Sequence, residues 1–218
     1  MPNYYPLMLD VRGRQAIVIG GDRVAAEKAA ALAAEAGFIH CCTPEHGALL
    51  QVLARGRKGG IIGETGTGYG TGLAWMASAV GIETKLVSVE ADSRRAAASK
   101  ALFAGLPNVE ILQGDWRLIE AYAPFDLLVL DGGGGGKRAN DPPAEPRRLL
   151  RAGGTVVLDD FHPPLEFWPE PDAMRDEYGR SVVESRKYWL QHPDLFATEV
   201  RVHPEVSTVL GTLRAARP

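Results

Sequence analysis

The stretch Ile61-Ile62-Gly63-Glu64-Thr65-Gly66-Thr67-Gly68-Tyr69-Gly70-Thr71-Gly72 limits what this chain can fold into more than any other. A short apolar run closes on an acid, and glycine then falls at every second position. An apolar segment from Leu73 to Val80 comes next and stops at Gly81. Such a run, bounded by turn residues, reads as a buried strand, and the segment after the glycines as the start of a buried helix. Glycine lets the connecting backbone take positive φ and lets a ligand lie directly against the main chain. Any strand-to-helix unit can use one such turn, so its meaning depends on the residues downstream.

From Lys85 onward the same pattern repeats. Lys85 to Glu90 is an apolar run closed by an acid, and Asp92 to Phe103 reads as a helix. Val109 to Gln113 is a strand before Gly114-Asp115-Trp116, and Leu118 to Tyr122 a short helix. Phe125 to Leu130 is a central strand ending at Asp131. A helix over Glu145 to Arg151 leads to a strand from Gly154 that ends on Asp159-Asp160. Near-continuous apolar strands alternating with helices predict an α/β, doubly wound, Rossmann-like fold with a mostly parallel seven-stranded sheet. Phe196 to Val202 and Val206 to Leu213 alternate around His203-Pro204-Glu205, which predicts a C-terminal antiparallel hairpin at one edge. Ligands of such sheets bind beyond the carboxyl ends of the strands. Glu64, Glu90, Asp115, Asp131 and Asp159 all fall at strand ends and are expected to face one crevice.

Residues 1–39 form a separate N-terminal strand–helix extension in this reading, with 40–218 as the main domain. Gln15 to Ile19 reads as a strand, Gly20-Gly21 as a turn, and Arg23 to Ala36 as an alanine-rich helix ended by Gly37. Pro6 to Arg14 followed by this unit resembles the start of the precorrin-2 dehydrogenase (sirohaem synthase) family, where the glycine turn belongs to an NAD site. Here Asp22 stands where a glycine would let a pyrophosphate approach the helix, so a structural role, such as a homodimer contact, is expected. Thr43 and Pro44 then open a helix through Ala54. Its His46 is expected on the helix surface or in a ligand cleft rather than on a metal.

Composition narrows the partners. The net charge of −3 and pI near 6.0 supply no basic field for nucleic acid or an anionic membrane. Cys41 and Cys42 are adjacent and are expected as reduced, partly buried thiols. Met1-Pro2-Asn3-Tyr4-Tyr5 lacks a basic leader, and no run approaches the roughly 18 apolar residues of a membrane helix. A cytoplasmic location is the resulting expectation.

The glycine turn with its downstream acids resembles the class I S-adenosylmethionine (SAM) dependent methyltransferases over roughly residues 40–218. Among them it looks most like the small O-methyltransferases related to the catechol and caffeoyl-CoA enzymes. The resemblance implies that Glu64, Gly66, Thr67, Gly68, Tyr69 and Gly70 cradle the methionine part of SAM. It implies that Glu90 and Ala91 meet the ribose, and that Gly114, Asp115 and Trp116 meet the adenine, with Asp131 completing the cofactor contacts. The chemistry is consistent: a ribose diol donates hydrogen bonds to a carboxylate. SAM brings a sulfonium and no phosphate.

In cation-dependent relatives, an Asp after the fourth strand and an Asp-Asn pair after the fifth hold a divalent cation. The matching residues are Asp131, Asp159 and Asp160, with Asp160 standing where Asn is expected. Hard oxygen ligands suit Mg²⁺ or another divalent cation, which would lower the pKa of a bound hydroxyl. Lys137 comes after the run Gly132 to Gly136, which is expected to form a flexible lip. The resemblance places Lys137 and Asp131 as catalytic residues. A P-loop reading fails, because Asp131 replaces its first glycine and Arg138 its Ser/Thr. Asp141-Pro142-Pro143 is set aside as a functional turn, since Ala144 replaces the aromatic residue such a turn carries. The expected activity is methyl transfer from SAM to a hydroxyl of a small molecule, whose pocket would include Phe161, Phe167, Trp168 and Tyr188. An NAD-binding dehydrogenase-like fragment and a SAM-fold protein without catalysis remain as alternatives.

Overall fold

The computed structural model describes residues 30–31, 33–34, 36–38, 41–161, 177–204 and 206–215; the side chains of Asp160 and residues 177–179 lie outside that description. The expected strand at Gln15 to Ile19, with Asp22, and the loop carrying Phe167 and Trp168 are outside the described residues.

Among the described residues seven strands form one sheet: β1 (Ile61–Thr65), β2 (Lys85–Glu90), β3 (Val109–Gln113), β4 (Phe125–Leu130), β5 (Leu150–Phe161), β6 (Leu195–His203) and β7 (Val206–Leu213). Their order is β3-β2-β1-β4-β5-β7-β6. The first five run parallel, and β7 lies antiparallel between β5 and β6. The fold is therefore a doubly wound, mixed α/β sheet with an antiparallel hairpin at one edge. The order reverses at β1, whose Thr65 pairs with Val89 on one side and Leu130 on the other. Chain leaves β1 and β4 toward opposite faces there, which opens a crevice.

The continuous apolar strands reflect burial on both faces. Leu127 and Val129 of β4 join a core with Leu50, Leu73, Met76 and Phe103. Leu128 and Leu130 of the same strand join the opposite core with Ile119, Phe161 and Trp189. The first core is covered by helices α1 (Pro44–Arg55) and α2 (Thr71–Ala79). Thr43 caps α1 by accepting from His46 N at 3.2 Å, and Pro44 takes the first helical position. Helix α3 (Ser93–Phe103) starts at Asp92, whose carboxylate accepts from Arg94 N and Arg95 N.

Several boundaries differ from the sequence reading. Strand β5 starts at Leu150, which pairs with Phe125 ahead of a register irregularity, so helix α4 is only Pro146–Leu149. The short helix after β3 is a 3₁₀ segment that begins at Trp116, capped by Asp115. Helix α5 spans Glu177–Gln191. Near the N-terminus, residues 30–31 and 33–34 are helical. That segment ends at Gly37, with φ +71° and its N–H on the Ala34 carbonyl.

Candidate functional site

A cleft of about 790 Å³ opens beyond the carboxyl ends of the parallel strands. It is lined by Glu64, Glu90, Asp115, Asp131 and Asp159, so the terminal acids of five strands meet in one place. Gly66, Thr67, Gly68, Tyr69, Ala91, Gly114, Trp116 and Lys137 also line it. Gly70 does not: it turns away at φ +90°, where a Cβ would lie 2.6 Å from the Phe103 ring. Its role is to bring α3 against the turn. The floor is backbone on backbone. A Cβ on Gly66 would sit 2.5 Å from Gly132 N, and one on Gly132 would sit 2.4 Å from Gly66 Cα. Thr65 O accepts from Gly132 N at 2.7 Å. Glycine is required on both loops because neither has room for a side chain.

Glu64 is buried at 4% exposure. Its Oε2 accepts from Ser88 Oγ at 2.6 Å, and Ser88 Oγ shares a 2.6 Å hydrogen bond with Thr67 Oγ1. Burial, and then the negative charge of Asp131, Glu90 and Asp159, push its carboxyl up to about 8 against the lowering effect of Ser88. Such a group carries its proton at neutral pH.

Glu90 is buried too, and both its oxygens are engaged. Oε2 accepts from Gly68 N at 2.8 Å; Oε1 accepts from Asp92 N at 2.9 Å and from Arg95 Nη2 at 2.8 Å. This carboxylate thus holds the glycine turn in shape while facing the cleft. Arg95 is half-exposed and lies 5.4 Å from the Phe38 ring centroid; Phe38 in turn makes an edge contact with Tyr69 at 5.5 Å. Phe38, Cys41 and Cys42 line the cleft, and the two cysteines are half-buried. No motif marked Phe38 or Arg95, because their partners are distant in sequence or one helical turn away.

Asp115 is exposed, and the Arg117 backbone N–H and guanidinium hold its carboxyl below the usual range. Trp116 does not stand alone beside a ligand. Gly133 and Gly134 pack on its ring, and its Nε1 donates to Asp141 Oδ1 at 2.6 Å. Asp141 Oδ2 accepts from Gly134 N at 2.7 Å. The Gly135 carbonyl accepts from Ser185 Oγ and Trp189 Nε1. The glycine run expected as a loose lip is therefore a pinned wedge between Trp116, Gly66 and α5, and Asp141, set aside on the sequence, is its fastening. Phe161 and Tyr188, expected in the acceptor pocket, are not cleft-lining. Phe161 is core, and the Tyr188 hydroxyl donates to the Ala144 carbonyl at 3.2 Å.

Lys137 leaves the wedge with Nζ donating to the Asp159 backbone carbonyl, 5.4 Å from the Phe161 ring centroid. His46 is neither on the surface nor lining the cleft. It is 1% exposed, with Nδ1 3.1 Å from Asp159 Oδ1 and 3.0 Å from Thr208 Oγ1. One carboxylate of the expected metal set is thus already matched with a histidine. The side chain of Asp160 lies outside the described residues, and among those described no three His, Cys, Asp or Glu side chains are grouped to hold a metal ion. Asp131 and Asp159 still line the cleft with carboxylate oxygens, the donor type a hard dication takes.

Compared with known proteins, a family model described as NAD(P)-binding matches residues 7–99. No curated protein matches the chain by sequence. Solved structures resemble it along most of its length. The O-methyltransferase from Bacillus cereus in complex with SAH is 20% identical, with TM-score 0.68, over 88% of this chain and 91% of that one. The O-methyltransferase TomG from Streptomyces achromogenes in complex with SAM is 23% identical, with TM-score 0.69, over 91% and 93%. A methyltransferase from Geobacter sulfurreducens is 22% identical, with TM-score 0.64, over 89% and 90%. These likenesses show a shared fold. Among the described residues no helix is long and apolar enough to cross a membrane.

Proposed function

We propose that this chain transfers the methyl group of SAM to a hydroxyl of a small molecule. The observation that carries the reading is the charge of the cleft. Glu64 and Glu90 stand buried at the mouth of the glycine turn, where a pyrophosphate would meet two carboxyl groups at close range. A sulfonium there meets its counter-charge instead. Neighbours of the same fold that bind SAM or SAH support the assignment.

In this reading the turn from Gly66 to Tyr69 receives the methionine portion, Glu90 the ribose diol, and Asp115 with Trp116 the adenine. The acceptor oxygen attacks the methyl carbon in line as the carbon–sulfur bond breaks, its electrons pass to sulfur, and the hydroxyl proton passes to solvent or to a basic group of the cleft. The protein's contribution is alignment, because the sulfonium already supplies the leaving group. Lys137 is the cation beside the acceptor oxygen and stabilises its charge as the proton leaves, with Asp131 as the hydrogen-bonding carboxylate at the same mouth. Asp131, Asp159 and Asp160 are the residues that would hold a divalent cation, which would lower the pKa of the acceptor hydroxyl when bound. Substituting Lys137→Met is expected to lower kcat by about 10²–10⁴-fold with SAH affinity kept, as for loss of a group acting on proton transfer.

A second reading is favoured by one observation, the NAD(P)-binding model over residues 7–99. Calorimetric titration with SAH and with NAD separates the two: tight SAH binding with no NAD heat is the expected result, and the reverse overturns the proposal. Screening phenols and catechols for SAH release distinguishes an enzyme from a passive SAM binder, and release with at least one acceptor is expected.

A further inference from the structure

We infer that Glu64 is the residue by which the cleft tells the sulfonium of SAM from the neutral thioether of its product, binding SAM with release of a proton and SAH without. This rests on the methyltransferase reading above.

Among the described residues, Glu64 has no counter-charge. It lies in β1 beneath the glycine turn, and one oxygen is taken by the Ser88–Thr67 hydroxyl chain. The other, Oε1, lies 2.7 Å from where a Cβ on Gly72 would stand, so glycine at that position makes room for it. Among the described residues, no hydrogen bond or ion pair reaches Oε1. The charged groups that act on it are Glu90 from β2, Asp131 after β4 and Asp159 from β5, all acids. The nearby cations face other atoms, Arg95 on Glu90 and Lys137 on the Asp159 carbonyl, and the His46 imidazole lies on the Asp159 carboxylate. Burial among like charges favours the neutral carboxyl, and the group stays protonated up to about 8.

A sulfonium arriving at the turn supplies the missing positive charge, so the carboxyl ionises and its proton leaves to solvent. Methyl transfer then removes that positive charge from sulfur. Glu64 regains one proton as the acceptor hydroxyl loses one, and the cleft returns to its starting charge holding an SAH it no longer attracts. The same residue that favours cofactor uptake thereby favours product release.

The test is calorimetry of SAM and SAH on the intact chain from pH 6 to 9, in two buffers of different ionisation enthalpy. The methionine amino and carboxyl groups are common to both ligands, so the ratio of their affinities isolates the sulfonium. The preference for SAM is expected to rise with pH by up to about tenfold per unit and to level off near the pKa of the free carboxyl. SAM binding should release a proton that SAH binding does not, and Glu64→Gln should abolish both effects. Ser88→Ala, which removes the bond favouring the charged form, should move the midpoint to higher pH while leaving the effect in place. Parallel pH profiles for the two ligands in the unsubstituted protein would overturn the inference and leave the methyltransferase reading standing. No binding of either ligand would overturn both.

Discussion

At the scale of single residues, the buried carboxyl groups of the site differ in their partners. Glu90 accepts from two backbone N–H groups and a guanidinium, so both its oxygens are matched and it also shapes the turn. Glu90→Ala removes charged hydrogen bonds worth about 1.5–3 kcal/mol each. SAH affinity is expected to fall by at least about tenfold in calorimetry. Glu64 has the opposite character, and its raised pKa is a stability statement. Below its ordinary value of 4.5, folded and unfolded chains are both protonated at this group; between 4.5 and about 8 only the unfolded chain ionises. Its contribution to stability therefore declines as pH rises through that window and is lost above about 8. Glu64→Gln cannot ionise, so its melting temperature should gain on the unsubstituted protein as pH rises from 5 to 9. A gap that stays constant over that range would contradict the burial argument.

At the scale of elements, two glycine loops from β1 and β4 close on one another at the sheet's reversal point. Gly66 has φ +87° and no room for a Cβ against Gly132. Gly66→Ala is expected to cost about 2–4 kcal/mol through backbone strain and displacement, seen as a lowered denaturation midpoint together with loss of SAH binding. The wedge from Gly132 to Gly136 is fastened through Trp116 and Asp141. Trp116→Phe keeps the ring face but loses the indole donor, which should cost about 1 kcal/mol in chemical denaturation. The sequence marked both glycine runs, because glycine density is visible in one dimension. It misread the second as loose, since the indole, hydroxyl and carboxylate that pin it lie 7 to 54 positions away.

At the scale of the whole molecule, the sheet is buried on both faces, and the tie between helix α1 and the hairpin edge is His46. Its Nδ1 reaches Asp159 of β5 and Thr208 of β7, 162 positions distant. Removing a hydrogen-bonding partner of a buried carboxylate leaves that carboxylate unsatisfied. His46→Ala is thus expected to destabilise the fold by about 1–3 kcal/mol, with urea denaturation as the measurement. The same contact fixes Asp159 at the cleft wall through its Oδ1.

The amino-acid order alone determined the strand–helix alternation and the placing of an acid at or near the carboxyl end of each of the five parallel strands, because periodicity and turn chemistry act over a few residues. It thereby determined the fold class and the side of the sheet on which a ligand can sit. Only the tertiary structure decided what each carboxyl group faces. Ser88 on Glu64, Arg95 on Glu90, and His46 on Asp159 are matters of distance in three dimensions, and the charge state of a buried acid depends on just those neighbours.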